Sequence, residues 1–334
     1  MAENSQPPNN DNQQEIEELI SSLPKEKWWR GSGLTLYQNF WVPSDFIRGV
    51  ITLRRHFIGR DSNILLASKP KTGTTWLKAL AFSVLHRAQF RPSVANANHP
   101  LCSSNPHDLV PFLEIMLNGQ PAGHVPDMSG FTDLQLFATH VPYHFLPESI
   151  HQSQSRVIYI CRNPLDTALS SWHFWAQANL EGGAGDWSME EFFENFCKGL
   201  DFYGPFWDHL LSYWKASCER PERVLFLKYE DLKEDTARNL KRIAEFMGVP
   251  FSKEEELDGV VDQIVEMCSL SNLKELDVNK TGDIFGYENK TFFRKGEVGD
   301  WANYLSPSMV ERLENIMKEK FSPFGLYFTL KKTS

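Results

Sequence analysis

The chain lacks any long apolar run: nothing in its 334 residues approaches the roughly 18–20 apolar positions that a membrane-spanning helix needs. It also lacks the charged, then apolar, then small-residue opening of a secretory signal. Cysteine is scarce. Cys102, Cys161, Cys197, Cys218 and Cys268 are odd in number and fit no metal-ligand spacing, so they read as reduced thiols of a cytoplasmic protein. Positive charge is not in excess. A net charge of −9 argues against nucleic-acid binding by a basic surface, and any anionic ligand must be held by a local cluster of cations. No repeat and no internal linker is visible. One domain is therefore expected over residues 15–330. The Asn-, Gln- and Pro-rich residues 1–14 are expected to form a disordered tail. Asn-Lys-Thr triplets at Asn279 and Asn289 match the glycosylation pattern but, without a secretory start, are expected to be idle.

What is present is an ordinary globular composition, 41% hydrophobic and 23% charged. Continuous apolar runs at Ile64–Ser68, Leu134–Thr139, Val157–Cys161 and Val224–Tyr229 have the character of strands buried on both faces. Helical patterns separate them, as at Leu77, Leu80, Ala81, Val84 and Leu85. Further helices are expected at Leu109–Leu117, Met189–Leu200, Pro205–Ser217 and after Ser306-Pro307. Alternating strands and helices predict an α/β fold with a central parallel sheet flanked by helices. Flexible segments are expected at 91–108, 118–131, 181–187 and 277–300. The second and last are long enough to suggest a role at a site.

The sharpest local signal is Ser68-Lys69-Pro70-Lys71-Thr72-Gly73-Thr74-Thr75-Trp76. Pro70 stops a strand, and a helix follows the polar turn. A strand-loop-helix of this kind resembles a phosphate-binding loop, because free backbone N–H groups and the helix N-terminus point at whatever occupies the turn. It lacks the Gly-Lys-Ser/Thr ending of the nucleotide triphosphate loop. An ordinary strand-to-helix connection would look similar. Against that stands Lys71, since a cation at a helix start calls for a compensating anion.

In an open parallel sheet ligands bind beyond the carboxyl ends of the strands. The strand ends deliver Lys71 with its turn, His140, Arg162 and Tyr229. Each has a plainer reading: a packed histidine, an arginine paired with Asp166, a core tyrosine. Asp166 itself suits a cap for a helix from Thr167. Arg294-Lys295-Gly296 is a second basic cluster, with a glycine that permits close backbone approach to an anion. Together these cations suit a ligand with two anionic groups. A histidine without a serine or cysteine nucleophile suits general-base work on a hydroxyl, and Trp76 suits stacking on a nucleobase.

These segments resemble the cytosolic sulfotransferases, with the flavour of the plant soluble branch (flavonol sulfotransferase-like). Lys69 to Trp76 is similar to that family's 5′-phosphosulfate loop. Tyr159 to Pro164, with Asp166 and Ser170, is similar to its 3′-phosphate motif. Arg294-Lys295-Gly296 before Gly299-Asp300-Trp301 is similar to its C-terminal cofactor motif, and Tyr229-Glu230-Asp231 also matches. The likeness covers roughly residues 45–328. It implies sulfuryl transfer from 3′-phosphoadenylyl sulfate (PAPS), leaving the nucleotide product PAP, to a hydroxyl of a small acceptor, without a metal. The expected acceptor is phenolic or flavonoid; hydroxyjasmonates, steroids and desulfoglucosinolates are alternatives. Residues Lys71, Thr72, Gly73, Thr74, Thr75 and Trp76 would hold the phosphosulfate end. Arg162, Ser170, Arg294, Lys295 and Gly296 would hold the 3′-phosphate, and Tyr229 the adenine. His140 would be the base and Lys71 would stabilise the leaving oxygen.

Three departures matter. Ala138 stands where many animal members carry a lysine, so Lys71 must do more. Leu270 replaces an adenine-stacking phenylalanine. Ala302 to Pro307 does not match the family's dimer segment, so a monomer is expected. A small-molecule kinase on the same sheet and a catalytically silent nucleotide-binding protein are the competing readings.

Overall fold

Four apolar stretches pair in parallel as one sheet: β1 (Asn63–Ser68), β2 (Gln135–Thr139), β3 (Arg156–Cys161) and β4 (Val224–Lys228), in the order β2-β1-β3-β4. The structure is a computed structural model, and it describes residues 10–28, 33–121, 124–126, 134–178 and 188–330. The predicted insert at 181–187 and much of the loop at 118–131 lie outside the described residues.

The period of two along each strand gives the sheet two cores. Ile64, Leu66, Ile158, Ile160, Leu225 and Leu227 face one side. There they meet Leu77, Leu80 and Val84 of helix α1 (Thr74–His86). Leu65, Ala67, Val157, Tyr159 and Cys161 face the other. Leu165 and Leu169 of helix α2 (Pro164–Ala178) and Leu210 and Tyr213 of the helix Phe206–Glu219 cover them. The connection after β1 leads to β2 on one side, whereas that after β3 leads to β4 on the other. The sheet therefore has its switch point between β1 and β3, where a crevice opens beyond their carboxyl ends. Register pairs Ala67 with Thr139, Ser68 with Ile160 and Cys161 with Lys228. The next residues of all four strands consequently emerge at one edge.

An antiparallel sheet formed by Lys25–Lys27, Gly33–Tyr37 and Phe40–Pro43 packs over the second core. Trp28, Tyr37 and Phe40 are buried there.

Several expectations change. Of the span 1–14 expected to be a disordered tail, residues 10–14 belong to a helix, Asn10–Ser22, and residues 1–9 lie outside the described residues. The helix predicted at Leu109–Leu117 is two, Pro106–Leu109 and Leu113–Asn118. Pro111 separates them, since the residue before a proline is pushed out of helical geometry; Val110 is extended. Asp166 is not the cap of α2. Asn163 takes that part, its Oδ1 accepting the Asp166 backbone N–H at 2.8 Å. The segment 277–300 contains a helical turn at Asp277–Lys280 and a hairpin of Asp283–Ile284 with Tyr287–Glu288. Asn279 and Asn289 are buried and donate their side-chain amides to backbone carbonyls, so neither is available to a glycan.

Candidate active site

A cavity of about 660 Å³ lies beyond the strand ends. It is lined by Lys71, Gly73, Thr74, Thr75, Trp76, His140, Arg162, Ser170, Tyr229, Arg294, Lys295 and Gly296. Of the residues expected at the site only Thr72 does not line it. The Thr72 hydroxyl donates to Lys69 O at 2.8 Å and Ile160 O at 3.0 Å, stapling the turn to β3.

The turn after β1 is held open from behind. Lys69 is buried and ion-paired with buried Asp201, and Thr74 Oγ1 lies 2.7 Å from Ser68 Oγ. Lys71 has φ +68° and Gly73 φ +115°. The first is uncommon for a residue with a Cβ and marks a conformation that the surroundings impose. A Cβ on Gly73 would meet the Tyr229 ring at 2.8 Å. Gly73 is also the N-cap of α1, with no side-chain cap, so the first-turn amides are left for a ligand.

The Lys71 ammonium lies 3.9 Å from the Phe174 ring centre and 5.6 Å from that of Phe292. Burial, with Arg294 and Arg162 nearby, lowers its pKa to about 7. Arg162 is buried over the Tyr229 ring, 4.7 Å from its centre, and pairs with Asp166 at 3.5 Å. Its buried Nε has no protein partner among the described residues. Asp166 accepts Gly299 N–H at 2.8 Å and Trp301 N–H at 3.2 Å, which ties the late basic cluster to the end of β3. Arg294 and Lys295 both reach buried Asp300, at 2.7 and 2.8 Å. Burial raises the Asp300 pKa, but hydrogen bonds from Lys295, Arg294 and Asn303 prevail and hold it at about 2. Tyr229 Oη donates to Gly296 O at 2.9 Å, and Trp76 meets the Tyr229 ring edge-on at 5.5 Å. A Cβ on Gly296 would come within 2.6 Å of Leu270.

His140 is fixed at three atoms. Its backbone N–H donates to Glu114 Oε1 at 2.7 Å, and its carbonyl accepts from His209 Nε2 at 2.9 Å. Its Nδ1 lies 2.7 Å from Ser68 O. A carbonyl can only accept, so Nδ1 carries the ring hydrogen and Nε2 keeps its lone pair. Burial, aided by Lys78, Lys69 and Lys71 and opposed by the Ser68 carbonyl, lowers its pKa to about 3. Around it stand Phe112, with ring centres 4.4 Å apart, and Tyr203 at 5.7 Å.

Phe46 and Trp175 line the cavity, whereas Trp41, Tyr143 and Trp172 pack against the core. Phe112, Phe174, Tyr203, Phe285 and Phe292 complete the apolar part. They come from four distant segments without a shared motif, so no local pattern marked them. Asp201, Glu114, His107 and Lys78 were equally silent; their partners lie 26–132 residues away.

A family model of the sulfotransferase domain matches residues 61–325. The chain belongs to the sulfotransferase family. "Cytosolic sulfotransferase 15" of Arabidopsis thaliana is 48% identical to this sulfotransferase over 317 residues, covering 95% of the chain and 88% of the relative. A crystal structure of an Arabidopsis thaliana sulphotransferase, for which a steroid acceptor has been suggested, has a TM-score of 0.74 at 38% identity. That match covers 98% of this chain and 100% of the other. Mouse sulfotransferase SULT7A1 complexed with PAP matches with a TM-score of 0.64 at 25% identity, covering 86% and 94%.

Proposed function

We propose that this sulfotransferase moves the sulfuryl group of PAPS onto a hydroxyl of a small phenolic or flavonoid acceptor, with His140 as general base. The observation that carries the reading is the His140 tautomer. Its Nδ1–H is committed to Ser68 O, so Nε2 is the atom free to accept a proton, in a cavity shared with a cation cluster. The residues fit PAPS. The uncapped start of α1 with Lys71 suits the phosphosulfate end. The unpartnered Arg162 Nε, with Ser170 and the Arg294-Lys295-Gly296 segment, suits a second phosphate. Trp76, Tyr229 and Leu270 line the same cavity and suit the adenine. When bound, PAPS supplies an activated sulfuryl group and a phosphate leaving group.

His140 takes the acceptor's hydroxyl proton at Nε2 as the acceptor oxygen attacks sulfur, a contribution of about 10²–10⁴-fold in rate. Lys71 stabilises the charge growing on the departing oxygen, as a placed cation in a site that excludes water. The aromatic walls Phe112, Phe174, Tyr203 and Phe292 exclude water and suit a flat, apolar acceptor. A steroid is the second acceptor class, favoured by the Arabidopsis thaliana relative whose name refers to a steroid. The protein is a monomer in the cytoplasm: the segment Ala302–Pro307 departs from the dimer pattern, relatives are named cytosolic, and no described helix is long and apolar enough to cross a membrane. A labelled-sulfate transfer screen over flavonols, other phenols, hydroxyjasmonates, steroids and desulfoglucosinolates tests the acceptor. Turnover highest on flavonols supports the reading; turnover confined to non-phenolic alcohols rejects it. Light scattering at 38.5 kDa supports the monomer, and twice that mass rejects it.

A further inference from the structure

Beside the cavity, three side chains form a line that the reaction above does not use. Lys78 projects from α1 one turn after Thr75 and is fully buried. Its Nζ lies 3.0 Å from Nδ1 of His107, and Nε2 of the same ring lies 3.0 Å from Thr75 Oγ1. The ammonium is also 3.3 Å from the centre of the Phe112 ring, a cation–π contact. Burial lowers the Lys78 pKa well below the usual value, and Glu114 and Asp108 nearby only oppose that shift. His107 stacks on Phe112, with ring centres 5.4 Å apart and 22° between planes, and both rings line the cavity.

The chemistry of the three groups sets the direction of every hydrogen bond. An anion bound in the cavity favours the ammonium form of Lys78, and an ammonium has donors and no acceptor. Nδ1 of His107 therefore accepts, and Nε2 carries the hydrogen. Burial, reinforced by the Lys78 charge, holds the imidazole neutral, with its pKa well below the usual value. Nε2–H donates to Thr75 Oγ1. The Thr75 hydroxyl hydrogen is thereby turned away from His107 and left for the cavity, which Thr75 lines.

We propose that Lys78 and His107 are positioning residues that hold the Thr75 hydroxyl as a hydrogen-bond donor to the phosphosulfate end of the nucleotide. Without them Thr75 could spend its hydrogen on the imidazole or on water, and the turn would present one donor fewer to the anion. The assignment rests on this cavity being the PAPS site and is independent of which group is the base.

The test uses the full chain with His107→Phe, His107→Gln, Lys78→Met and the double variant Lys78→Met/His107→Phe. Phenylalanine keeps a ring on Phe112 but offers no nitrogen. Glutamine places an amide donor near the position of Nε2. Calorimetry reads PAP affinity, steady-state kinetics separate kcat from the KM for PAPS, and near-ultraviolet circular dichroism reports folding. His107→Phe and Lys78→Met are expected to weaken PAP binding about tenfold and to raise the KM for PAPS similarly, the scale of one hydrogen bond to a charged group. His107→Gln should recover most of that loss. The double variant should bind no more weakly than His107→Phe, because both changes act through one bond to Thr75. Unchanged PAP affinity in His107→Phe, equal losses for phenylalanine and glutamine, or losses that multiply in the double variant overturn the proposal. If Lys78→Met does not fold, the two substitutions at His107 decide alone. A wild type that binds PAP yet sulfonates no acceptor refutes the transfer reading, while the affinity series still judges the relay. A wild type that does not bind PAP refutes both.

Discussion

In the proposed reaction Lys71 and His140 carry the chemistry, and their protonation in the ligand-free site differs in a testable way. Lys71 has a pKa lowered to about 7 by burial and by Arg294 and Arg162. A bound dianion restores its charge, so its pKa rises on binding. Below pH 7 the free enzyme already holds the proton; above pH 7 it must take one up. PAP binding measured by calorimetry in buffers of different ionisation enthalpy should therefore show proton uptake that grows from pH 6.5 to pH 8. Uptake that is absent throughout counts against Lys71 as the anion's partner. His140, at about 3, is neutral across that range, so its protonation should not cut turnover at mildly acidic pH. That both would meet at one cavity was legible in the sequence, because each follows a strand and the carboxyl ends of the strands are where this topology opens a crevice. The role of Thr72 was not. Its hydroxyl bonds across to Ile160 O on the neighbouring strand, which no local pattern reveals.

At the scale of elements, the late basic segment depends on α2 for its position. Asp166 accepts the backbone N–H groups of Gly299 and Trp301 from within a site where it is 1% exposed. Asp166→Ala removes the carboxylate that both amides donate to, an expected loss of about 1–3 kcal/mol in unfolding free energy. PAP affinity should fall with it, because Arg294 and Lys295 lose their frame. Full retention of both stability and affinity would show that the segment positions itself. Gly296 makes a second, sharper case. It has φ +63°, and a Cβ there would meet Leu270 at 2.6 Å and Tyr229 Oη at 3.2 Å. Gly296→Ala is expected to lower the unfolding free energy by roughly 1–3 kcal/mol and to weaken PAP binding about tenfold, because the Leu270 and Tyr229 side chains it displaces line the same cavity. Unaltered PAP binding would place Gly296 outside the nucleotide site. The strands, α1 and the turn between them were legible from periodicity and from Pro70. The hairpin at Asp283–Glu288, which carries Phe285 over the cavity, was not, since its strands are only two residues long and leave no alternation to detect.

At the scale of the whole molecule, a protein of net charge −9 gathers its cations for an anionic ligand in one cavity at the sheet's switch point. The order β2-β1-β3-β4 brings Lys71 and Arg162 to either side of that crevice and His140 beside them, from segments separated by tens of residues. The cation absent at Ala138 leaves Lys71 as the cation nearest the reacting group in this account, and it makes His140 the group whose removal isolates chemistry from binding. The most direct measurement is transfer of labelled sulfate from PAPS to a flavonol or other phenol by wild type and His140→Ala, with PAP affinity measured on both. The account predicts transfer by the wild type and a loss of at least about 10²-fold in kcat for the variant, with PAP affinity within about twofold. A His140→Ala protein that folds, binds PAP and turns over at the wild-type rate would contradict it.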